Sequence, residues 1–398
     1  MASGADRISN LPEGVLHHIL ALLPAQDAVR TCVLAQSWRD HWRSVPAVRF
    51  AGPTDWAGGV DVLIPFVDGL LRARRRVAPL DSCEFDLDLD ESDVPKIERR
   101  GNSWIRRAMR LGVWELFFRF SVTTRRFAFT LEERRLASQH LTRLELMGVQ
   151  GNNAVLDFSG CPALEHLKME ECDVSSTEIQ SPSLKYLTIQ YCLFYTNYRT
   201  RMWFPSLVSF DLIANVGRVP MLESMPSLET AVYVFIRDLD WCPAFSKLKT
   251  LVLSEWFVTA DLGALLWFIF HAPLLEELTL EVSVEHKKLI KKDGSYQPFE
   301  QSIATTHLQS VEIICKHVNR IVCKILKALN SIGIALEIIR IQCSDHFSYL
   351  VSVIHLCVLI STPTGCDMWW VIDGPSRLLK WSEGTAATNQ IDFIADLL

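Results

Sequence analysis

The sequence lacks the hydrophobic segments that mark membrane and secreted proteins. The longest apolar run near the C-terminus covers residues 349–361, whereas a membrane-spanning helix needs roughly 20 apolar residues. The first ten residues hold no apolar stretch of the kind found in a secretory signal. No asparagine lies in an Asn-x-Ser/Thr sequon. We therefore expect a protein of the cytoplasm, the nucleus or both, with no membrane partner.

The sequence also lacks an excess of basic charge. It has 40 Lys and Arg residues against 46 Asp and Glu residues, which gives a formal net charge of −6. Proteins that bind nucleic acids usually carry a basic patch. The one dense basic run, residues 72–76, is typical of a solvated helix end. We therefore expect no nucleic-acid partner.

Enzyme and metal-site motifs are missing as well. The sequence contains no Gly-x-Ser-x-Gly, His-Glu-x-x-His, Gly-x-x-x-x-Gly-Lys or Gly-x-Gly-x-x-Gly. None of its 11 cysteines lies in a Cys-x-x-Cys pair. The neighbouring His17 and His18 are interpreted as a solvated helix face, and Cys315 with His317 offers too few ligands for zinc. The sequence predicts a protein that is not an enzyme and has no metal and no cofactor.

What the sequence does contain is a strongly apolar N-terminal segment. Leu16, Ile19 and Leu20 recur at helical spacing. Pro24 is predicted to end this helix, and Asp27 is predicted to cap a second one. About 35 residues with so many apolar side chains cannot bury all of them in so small a unit. This indicates that part of the surface binds a partner.

The order of residues in this segment resembles an F-box. Two Leu-Pro steps, Leu11-Pro12 and Leu23-Pro24, are followed by the pair Trp38-Arg39. F-box proteins are substrate receptors of cullin-RING ubiquitin ligases, and their F-box docks on a Skp-type adaptor. Ser37 departs from the plant members of the family, which usually have a basic residue there. By this resemblance, the residues that face the adaptor or hold that face together are Leu11, Pro12, Leu16, Ile19, Leu20, Pro24, Val33 and Trp38.

A second pattern, Leu-x-x-Leu-x-Leu with aliphatic substitutions, runs through the middle of the chain. From Leu141 to Leu248 the copies begin 20–23 residues apart, which is the period of leucine-rich repeats, and wider later spacings indicate insertions. One repeat cannot bury its own apolar face, so the copies must stack. The Pro-x-Leu steps before the copies resemble plant F-box leucine-rich-repeat proteins. The copies, the last of them a possible ninth, begin at Leu141, Leu164, Leu184, Leu207, Leu228, Leu248, Leu275, Leu308 and Leu336.

The region after the repeats is similar to the FBD module of plant F-box repeat proteins, because a strand, an amphipathic helix and a second strand are predicted between residues 308 and 342. The fold class we expect is α/β, with an N-terminal helical F-box followed by an irregular leucine-rich-repeat solenoid, a horseshoe of strand-helix or strand-loop repeats. The predicted segments are the F-box at 1–48, a connecting region with degenerate first repeats at 49–135, leucine-rich repeats at 136–300, the FBD-like closing module at 301–345 and an atypical tail at 346–398.

Polar residues alternate with the core leucines along the predicted strands and are therefore expected on the concave side of the solenoid. Glu277, Glu281 and Glu312 concentrate negative charge late in the array, which favours a basic substrate surface. Exposed strand positions are also polar for solubility alone, so that interpretation stays open. The candidate substrate-face residues are Arg143, Glu145, His166, Lys168, Tyr186, Asp211, Glu277, Glu281 and Glu312.

Together these features predict a substrate-recognition subunit of an SCF-type (cullin-RING) E3 ubiquitin ligase. Its F-box binds the Skp adaptor, and its leucine-rich repeats bind an unknown protein substrate. An alternative interpretation is a leucine-rich-repeat interaction scaffold that does not engage the ligase core. A third is an enzyme whose site the sequence does not reveal.

Overall fold

The described residues of this computed structural model fall into two compact units, the first within Met1–Pro226 and the second from Ser227 onwards. Most of the predicted tail, and the chain between residues 283 and 306, lie outside the described residues. None of the helices in the described part is long and apolar enough to cross a bilayer. The structure describes residues 8, 11–52, 56, 58–74, 80–122, 129–131, 136–151, 156–195, 197–218, 220–233, 245–254, 262–282, 307–316, 318, 320–343 and 351–352.

The N-terminal helices follow the two Leu-Pro steps of the sequence. Pro24, with φ −53° and ψ 144°, is the N-cap of the second helix. The prediction that Asp27 caps this helix is therefore wrong: Asp27 lies in the first turn, where its carboxylate accepts a hydrogen bond from Arg30 at 3.0 Å. Proline takes the cap because its fixed φ and missing N–H suit the position before a helix. The helices are α1 (Glu13–Ala21), α2 (Ala25–Arg30), α3 (Gly59–Ala73), α4 (Val94–Arg110), α5 (Gly263–His271) and α6 (Arg320–Ser331).

The first unit is built on parallel strands that carry the repeated leucine pattern. The strands of this unit are β1 (Ala47–Ala51), β2 (Ser82–Leu89), β3 (Glu115–Val122), β4 (Phe129–Thr130), β5 (Arg143–Met147), β6 (Val149–Gln150), β7 (Leu156–Asp157), β8 (His166–Glu170), β9 (Asp173–Val174), β10 (Glu178–Gln180), β11 (Tyr186–Gln190), β12 (Leu193–Phe194), β13 (Arg201–Trp203), β14 (Ser209–Ile213) and β15 (Met221–Leu222). The longer strands pair in the order β1, β2, β3, β5, β8, β11 and β14.

Connections between the main strands change along this unit. Helix α3 connects β1 to β2 and α4 connects β2 to β3, whereas the later connections carry two- and three-residue strands. These short strands pair in two further parallel groups, β4-β6-β9-β12 and β7-β10-β13-β15. Successive copies of the repeat lie in register, with Leu167 of β8 opposite Leu144 of β5 and Leu187 of β11.

Aromatic rings fill the core beneath the first strands and helices. Phe85 on β2 stacks on Phe50 of β1, with ring centroids 5.0 Å apart, and on Trp104 of α4, at 5.6 Å. Phe118 on β3 meets the same ring edge-on at 5.6 Å. All four residues are buried. Each buried aromatic side chain removes a large apolar area from water, which joins α4 to the sheet.

The second unit repeats the strand-helix-strand arrangement. Strands β16 to β20 pair in parallel, and β21 pairs antiparallel with β20. Helix α5 connects β17 to β18, and α6 connects β19 to β20. The predicted second FBD-like strand begins later than expected, at Ile339, because residues Leu336–Ile338 form a 3-10 turn. The strands are β16 (Thr230–Tyr233), β17 (Thr250–Ser254), β18 (Glu277–Val282), β19 (Ser310–Cys315), β20 (Ile339–Cys343) and β21 (Val351–Ser352).

Helix α6 shows why this segment folds as it does. Its buried residues recur at positions i, i+3, i+4 and i+7 of one helix face. That face packs inward, whereas Lys324 and Lys327 of the same helix are exposed. Those buried residues are Val322, Ile325, Leu326 and Leu329. The mixed content of helices and parallel sheets confirms the predicted α/β class.

Candidate functional site

The N-terminal helical region, residues 11–45, has a small core of its own. Leu16 and Leu20 of α1 pack with Trp38 and Val45, and all four are buried. They hold α1 against the 3-10 turns at Gln36–Trp38 and His41–Arg43. Three predicted adaptor residues, Leu16, Leu20 and Trp38, therefore support the surface from inside.

Other apolar side chains of this region lie on its surface. Val33 is 83% exposed, Leu34 70% and Leu22 64%. Val15 and Ile19 of α1 are also exposed. Exposed large apolar groups at this density are typical of a binding surface. We define the N-terminal apolar surface as Leu11, Val15, Ile19, Leu22, Val33 and Leu34, all of them exposed.

The eight predicted adaptor residues thus divide into three groups. Three are buried, one is half-buried as the N-cap of α2, namely Pro24, and four are exposed. The buried residues are Leu16, Leu20 and Trp38, and the exposed ones are Leu11, Pro12, Ile19 and Val33. The prediction omitted Val15, Leu22 and Leu34 because helical spacing alone shows an apolar stripe without showing which part of the stripe the core covers. The spacing of Val15, Ile19 and Leu22 at i, i+4 and i+7 was the available signal.

A buried arginine fixes this region to the connecting region. Arg74, the C-cap of α3, donates hydrogen bonds to the backbone carbonyls of Trp42, at 3.0 Å, and Val45. Its side chain is almost fully buried, and burial lowers the pKa of Arg74 to about 10. The 3-10 turn at His41–Arg43 is therefore held from both α1 and α3.

His17 lies in a different environment from the one that its sequence predicts. Its side chain is only 16% exposed, and its Nε2 lies 3.2 Å from Nδ1 of His41. Burial lowers the pKa of His17, which the nearby Glu13 carboxylate partly offsets. His18, the next residue, is exposed. Only His18 of this pair matches the predicted solvated face.

On the polar strand face of the first unit, the charges are paired with one another. Glu84 of β2 accepts hydrogen bonds from Arg49 at 2.6 Å and from Arg119 at 2.9 Å. Glu145 of β5 binds Arg119 at 2.9 Å and Arg143 at 2.6 Å. These contacts join β1, β2, β3 and β5 through one network of alternating charge.

Glu145 differs from the exposed acidic residue that the strand pattern predicts. It is only 8% exposed. Burial acts to raise its pKa, but hydrogen bonds from Arg119 and Arg143 outweigh burial, so the pKa of Glu145 lies below its ordinary value. Its charge is therefore neutralised within the protein and is not available to a partner.

Further along the same unit, the predicted substrate face carries a pair of stacked rings, a lysine in an ion pair and a partly buried aspartate. His166 of β8 stacks on Tyr186 of β11, with ring centroids 4.4 Å apart. Lys168 pairs with Glu170 on its own strand at 2.7 Å. Asp211 of β14 accepts a hydrogen bond from the Thr188 hydroxyl, and burial raises the pKa of Asp211.

The three predicted acidic residues of the second unit lie on two neighbouring strands. Glu277 and Glu281 are on β18 and are exposed, and Glu312 is on β19. Among the described residues, the partners of the first two are hydroxyl groups: Thr250 donates to Glu277 at 3.5 Å and Ser254 to Glu281 at 3.0 Å. The structure places these carboxylates on one sheet, as the alternation predicted.

Buried side-chain hydrogen bonds that were not predicted from the sequence follow three of the repeat strands. Cys172 Sγ donates to the Leu146 carbonyl at 3.4 Å, and Cys192 Sγ lies 3.6 Å from the Met169 carbonyl. In the next repeat, Asn215 Nδ2 donates to the Ile189 carbonyl at 2.9 Å, and Asn215 Oδ1 accepts from the Cys192 N–H at 2.8 Å.

We call these side chains, Cys172, Cys192 and Asn215, the Cys/Asn ladder. The sequence already contains the signal that predicts it. The leucine-rich-repeat pattern has Asn or Cys three residues after its last strand aliphatic, which matches Cys172, Cys192 and Asn215. The residue before each of them has a left-handed backbone, with φ of 49° to 55° at Glu171, Tyr191 and Ala214. The repeated turn follows from this recurring conformation.

Comparison with known proteins agrees with this architecture. Residues 8–49 match the F-box domain family. The MEIOTIC F-BOX protein MOF of Oryza sativa subsp. japonica is 31% identical over 200 residues, which cover 46% of this chain and 40% of that protein. An F-box/LRR-repeat protein of Arabidopsis thaliana is 27% identical over 59% of this chain and 84% of its own length.

A third relative carries the additional module. An F-box/FBD/LRR-repeat protein of Arabidopsis thaliana is 25% identical over 360 residues, which cover 79% of this chain and 85% of that protein. The predicted resemblance to plant F-box leucine-rich-repeat proteins with an FBD-like module is confirmed. The match covers only 40% of the length of the Oryza sativa protein, and 50% of the length of a putative F-box protein of Arabidopsis thaliana that is 30% identical over 209 residues.

Proposed function

We propose that this chain is the substrate-recognition subunit of an SCF-type E3 ubiquitin ligase. In this proposal the F-box, residues 8–49, binds a Skp-type adaptor and through it the cullin-RING core. The remainder of the chain binds a protein substrate. The protein itself transfers nothing; it holds a substrate lysine at high effective concentration near a ubiquitin-loaded enzyme elsewhere in the complex.

The observation that carries this proposal is the N-terminal apolar surface. Its side chains are exposed although the same region has a formed core of Leu16, Leu20, Trp38 and Val45. Exposure of Val33 and Leu34 costs free energy in water, and a partner that covers them removes this cost. The match of the region to the F-box family supports a Skp-type adaptor as that partner.

We further propose that the repeats stack as a leucine-rich-repeat solenoid with the polar strand face as the substrate surface. Three features support this: the leucines of successive copies lie in register, the same left-handed turn follows three strands, and the Cys/Asn ladder satisfies buried carbonyls between repeats. Each feature joins one repeat to the next, as stacking requires.

We propose that the substrate presents basic residues to the strand face of the second unit. In the first unit the charge of Glu145 is neutralised by Arg119 and Arg143, whereas Glu277 and Glu281 are exposed and accept hydrogen bonds from hydroxyls. Unneutralised carboxylates attract lysine and arginine of a partner and raise its association rate.

Capture by a tagged Skp-type adaptor tests the proposal. The variant Ile19→Ala/Val33→Ala truncates two exposed side chains without touching the core. Truncation of an interface anchor typically costs about 2 kcal/mol or more, so we expect at least a ~30-fold loss of affinity even if only one of the two side chains is an anchor. Val62→Ala, an equally conservative change at an exposed valine of α3, is the matched control. Equal capture of all three proteins would refute the proposed docking surface.

The same experiment addresses the alternative of a scaffold that does not engage the ligase core. Ser37, which stands in place of a basic residue, is exposed next to Trp38. If the native chain is not captured while Ser37→Arg is captured, the scaffold alternative is supported. If the native chain is captured, proteins that accumulate in cells on the Ile19→Ala/Val33→Ala variant are substrate candidates. Candidates that no longer bind when Glu277→Lys/Glu281→Lys is added are those held by charge.

A further inference from the structure

Three potential metal ligands converge between α1 and the 3-10 turn at His41–Arg43. His17 Nε2 and His41 Nδ1 lie 3.2 Å apart. Glu13 Oε1 lies 3.7 Å from the first nitrogen and 3.9 Å from the second. The three ligand atoms therefore form a compact triangle contributed by two elements that are distant in sequence.

We propose that Glu13, His17 and His41 bind a divalent transition-metal ion, with Zn²⁺ as the ion best matched to two imidazoles and one carboxylate. Tetrahedral zinc with bonds of about 2.0–2.1 Å has ligand atoms about 3.3 Å apart. The observed separations need only small side-chain movements to reach this geometry. Three protein ligands leave a fourth position for water or for a group from a partner.

The environment of the triangle suits such an ion. The side chains of His17 and His41 are 16% and 18% exposed, and that of Glu13 is 71% exposed. The imidazoles are thus held in place by their surroundings, while the carboxylate is free to close over an arriving ion. Imidazole nitrogen is a favoured ligand for zinc, and a purely carboxylate site would instead favour magnesium or calcium.

The proposed site differs from the solvated, metal-free pair of His17 and His18 that the sequence predicts. His18 does not take part; the second imidazole comes from His41, 24 residues further along the chain. Bound metal would fasten α1, which carries Val15 and Ile19 of the N-terminal apolar surface, to the turn that Arg74 holds from the other side. The inference does not depend on adaptor docking.

Cobalt binding to the purified full-length chain, reduced and freed of metal with a chelator, tests the proposal. We expect one Co²⁺ per chain to give the visible absorption of a tetrahedral nitrogen-oxygen site without the thiolate charge-transfer band that the cysteines would produce. Zn²⁺ should displace it. Loss of an outer-shell partner alone typically costs 10–100-fold in metal affinity, so Glu13→Gln and His41→Gln should each bind at least about tenfold more weakly.

His18→Gln is the matched control, since it removes an exposed imidazole from the same helix and should leave the Co²⁺ spectrum and affinity unchanged. Glu13→Gln keeps the test decisive if His41→Gln does not fold, because Glu13 is exposed and outside the core. Zn²⁺ should also raise the thermal unfolding midpoint of the wild type and of His18→Gln more than that of Glu13→Gln. A native chain that binds no Co²⁺, or variants that bind it as the wild type does, would overturn the proposal.

Discussion

Arg74 at the end of α3 donates a hydrogen bond to the backbone carbonyl of Trp42 at a distance of 3.0 Å. The same guanidinium also binds the carbonyl of Val45. Both acceptors of this guanidinium are backbone carbonyl oxygens near the end of the F-box, and neither is a carboxylate. One buried cation thus helps to hold the F-box on the connecting region.

We expect Arg74→Met to destabilise the protein by about 1–3 kcal/mol, since the backbone carbonyls of Trp42 and Val45 both lose their donor. The loss of stability should be largest around residues 41–45, where amide hydrogen exchange should become faster. Arg72→Met is the control, because Arg72 is exposed on the same helix and its replacement should change stability by less than about 0.5 kcal/mol. Equal effects of the two changes would contradict a structural role for Arg74.

Glu145→Gln should lower the free energy of unfolding by about 1.5–3 kcal/mol at neutral pH, because it removes a buried charged acceptor from two partly exposed arginines. Glu165→Gln breaks an exposed pair with Lys185 and should cost less than about 1 kcal/mol. Chemical denaturation of the three proteins measures both differences.

The Glu145 effect should also depend on pH. The pKa of this carboxyl is lower in the folded chain than in the unfolded chain, so its ionisation stabilises the fold above the ordinary carboxyl pKa of about 4.3. That contribution is lost as the pH falls through the lower, folded value. The stability difference between wild type and Glu145→Gln should therefore shrink in acid, and a difference that grew in acid would contradict the ion-pair assignment.

Leu20→Ala should destabilise the F-box by about 2–5 kcal/mol, because it leaves a cavity against Trp38 and Val45. Val33→Ala should change the stability of the isolated chain by less than about 0.5 kcal/mol, since this side chain is almost fully exposed. Thermal or denaturant unfolding distinguishes them. A large loss of stability for Val33→Ala would show that Val33 is a core residue and not part of a partner surface.

Gly148→Ala should strongly destabilise the repeats. Gly148 has a φ of 68°, and a Cβ atom there would lie 1.9 Å from the Phe120 carbonyl oxygen. The left-handed conformation alone costs a non-glycine residue about 1–2 kcal/mol, and the backbone contact adds to it. Gly14→Ala is the control, because Gly14 lies in α1 with open space around it and alanine favours a helix.

Asn215→Ala should cost about 1–3 kcal/mol, because the Ile189 carbonyl and the Cys192 N–H both lose a buried partner. Asn197→Ala, at an exposed position, should be close to neutral. Faster hydrogen exchange of the Cys192 amide in the first variant would place the effect in the ladder. Unchanged protection of that amide would show that the side chain does not hold the repeat.

The repeat strands were predictable because their information is local. Inside each copy, apolar residues with a period of two predict which strand face is buried. Because the copies recur from Leu141 to Leu308, neighbouring copies are predicted to pair. The same holds for α6, whose apolar positions follow a single helical stripe. The F-box was predictable because its proline steps and tryptophan lie at fixed separations.

Other features were decided only by contacts between residues distant in sequence. The spacing of Leu16, Ile19 and Leu20 predicts one apolar stripe, but packing of Trp38 and Val45 buries only two of the three. Alternation places Glu145 on a polar face, yet Arg119 approaches from a neighbouring strand and neutralises it. In each case the local conformation followed from the sequence alone. Which side chains lie next to each other followed only from the tertiary structure, because burial and charge pairing depend on which other segment supplies the facing side chain.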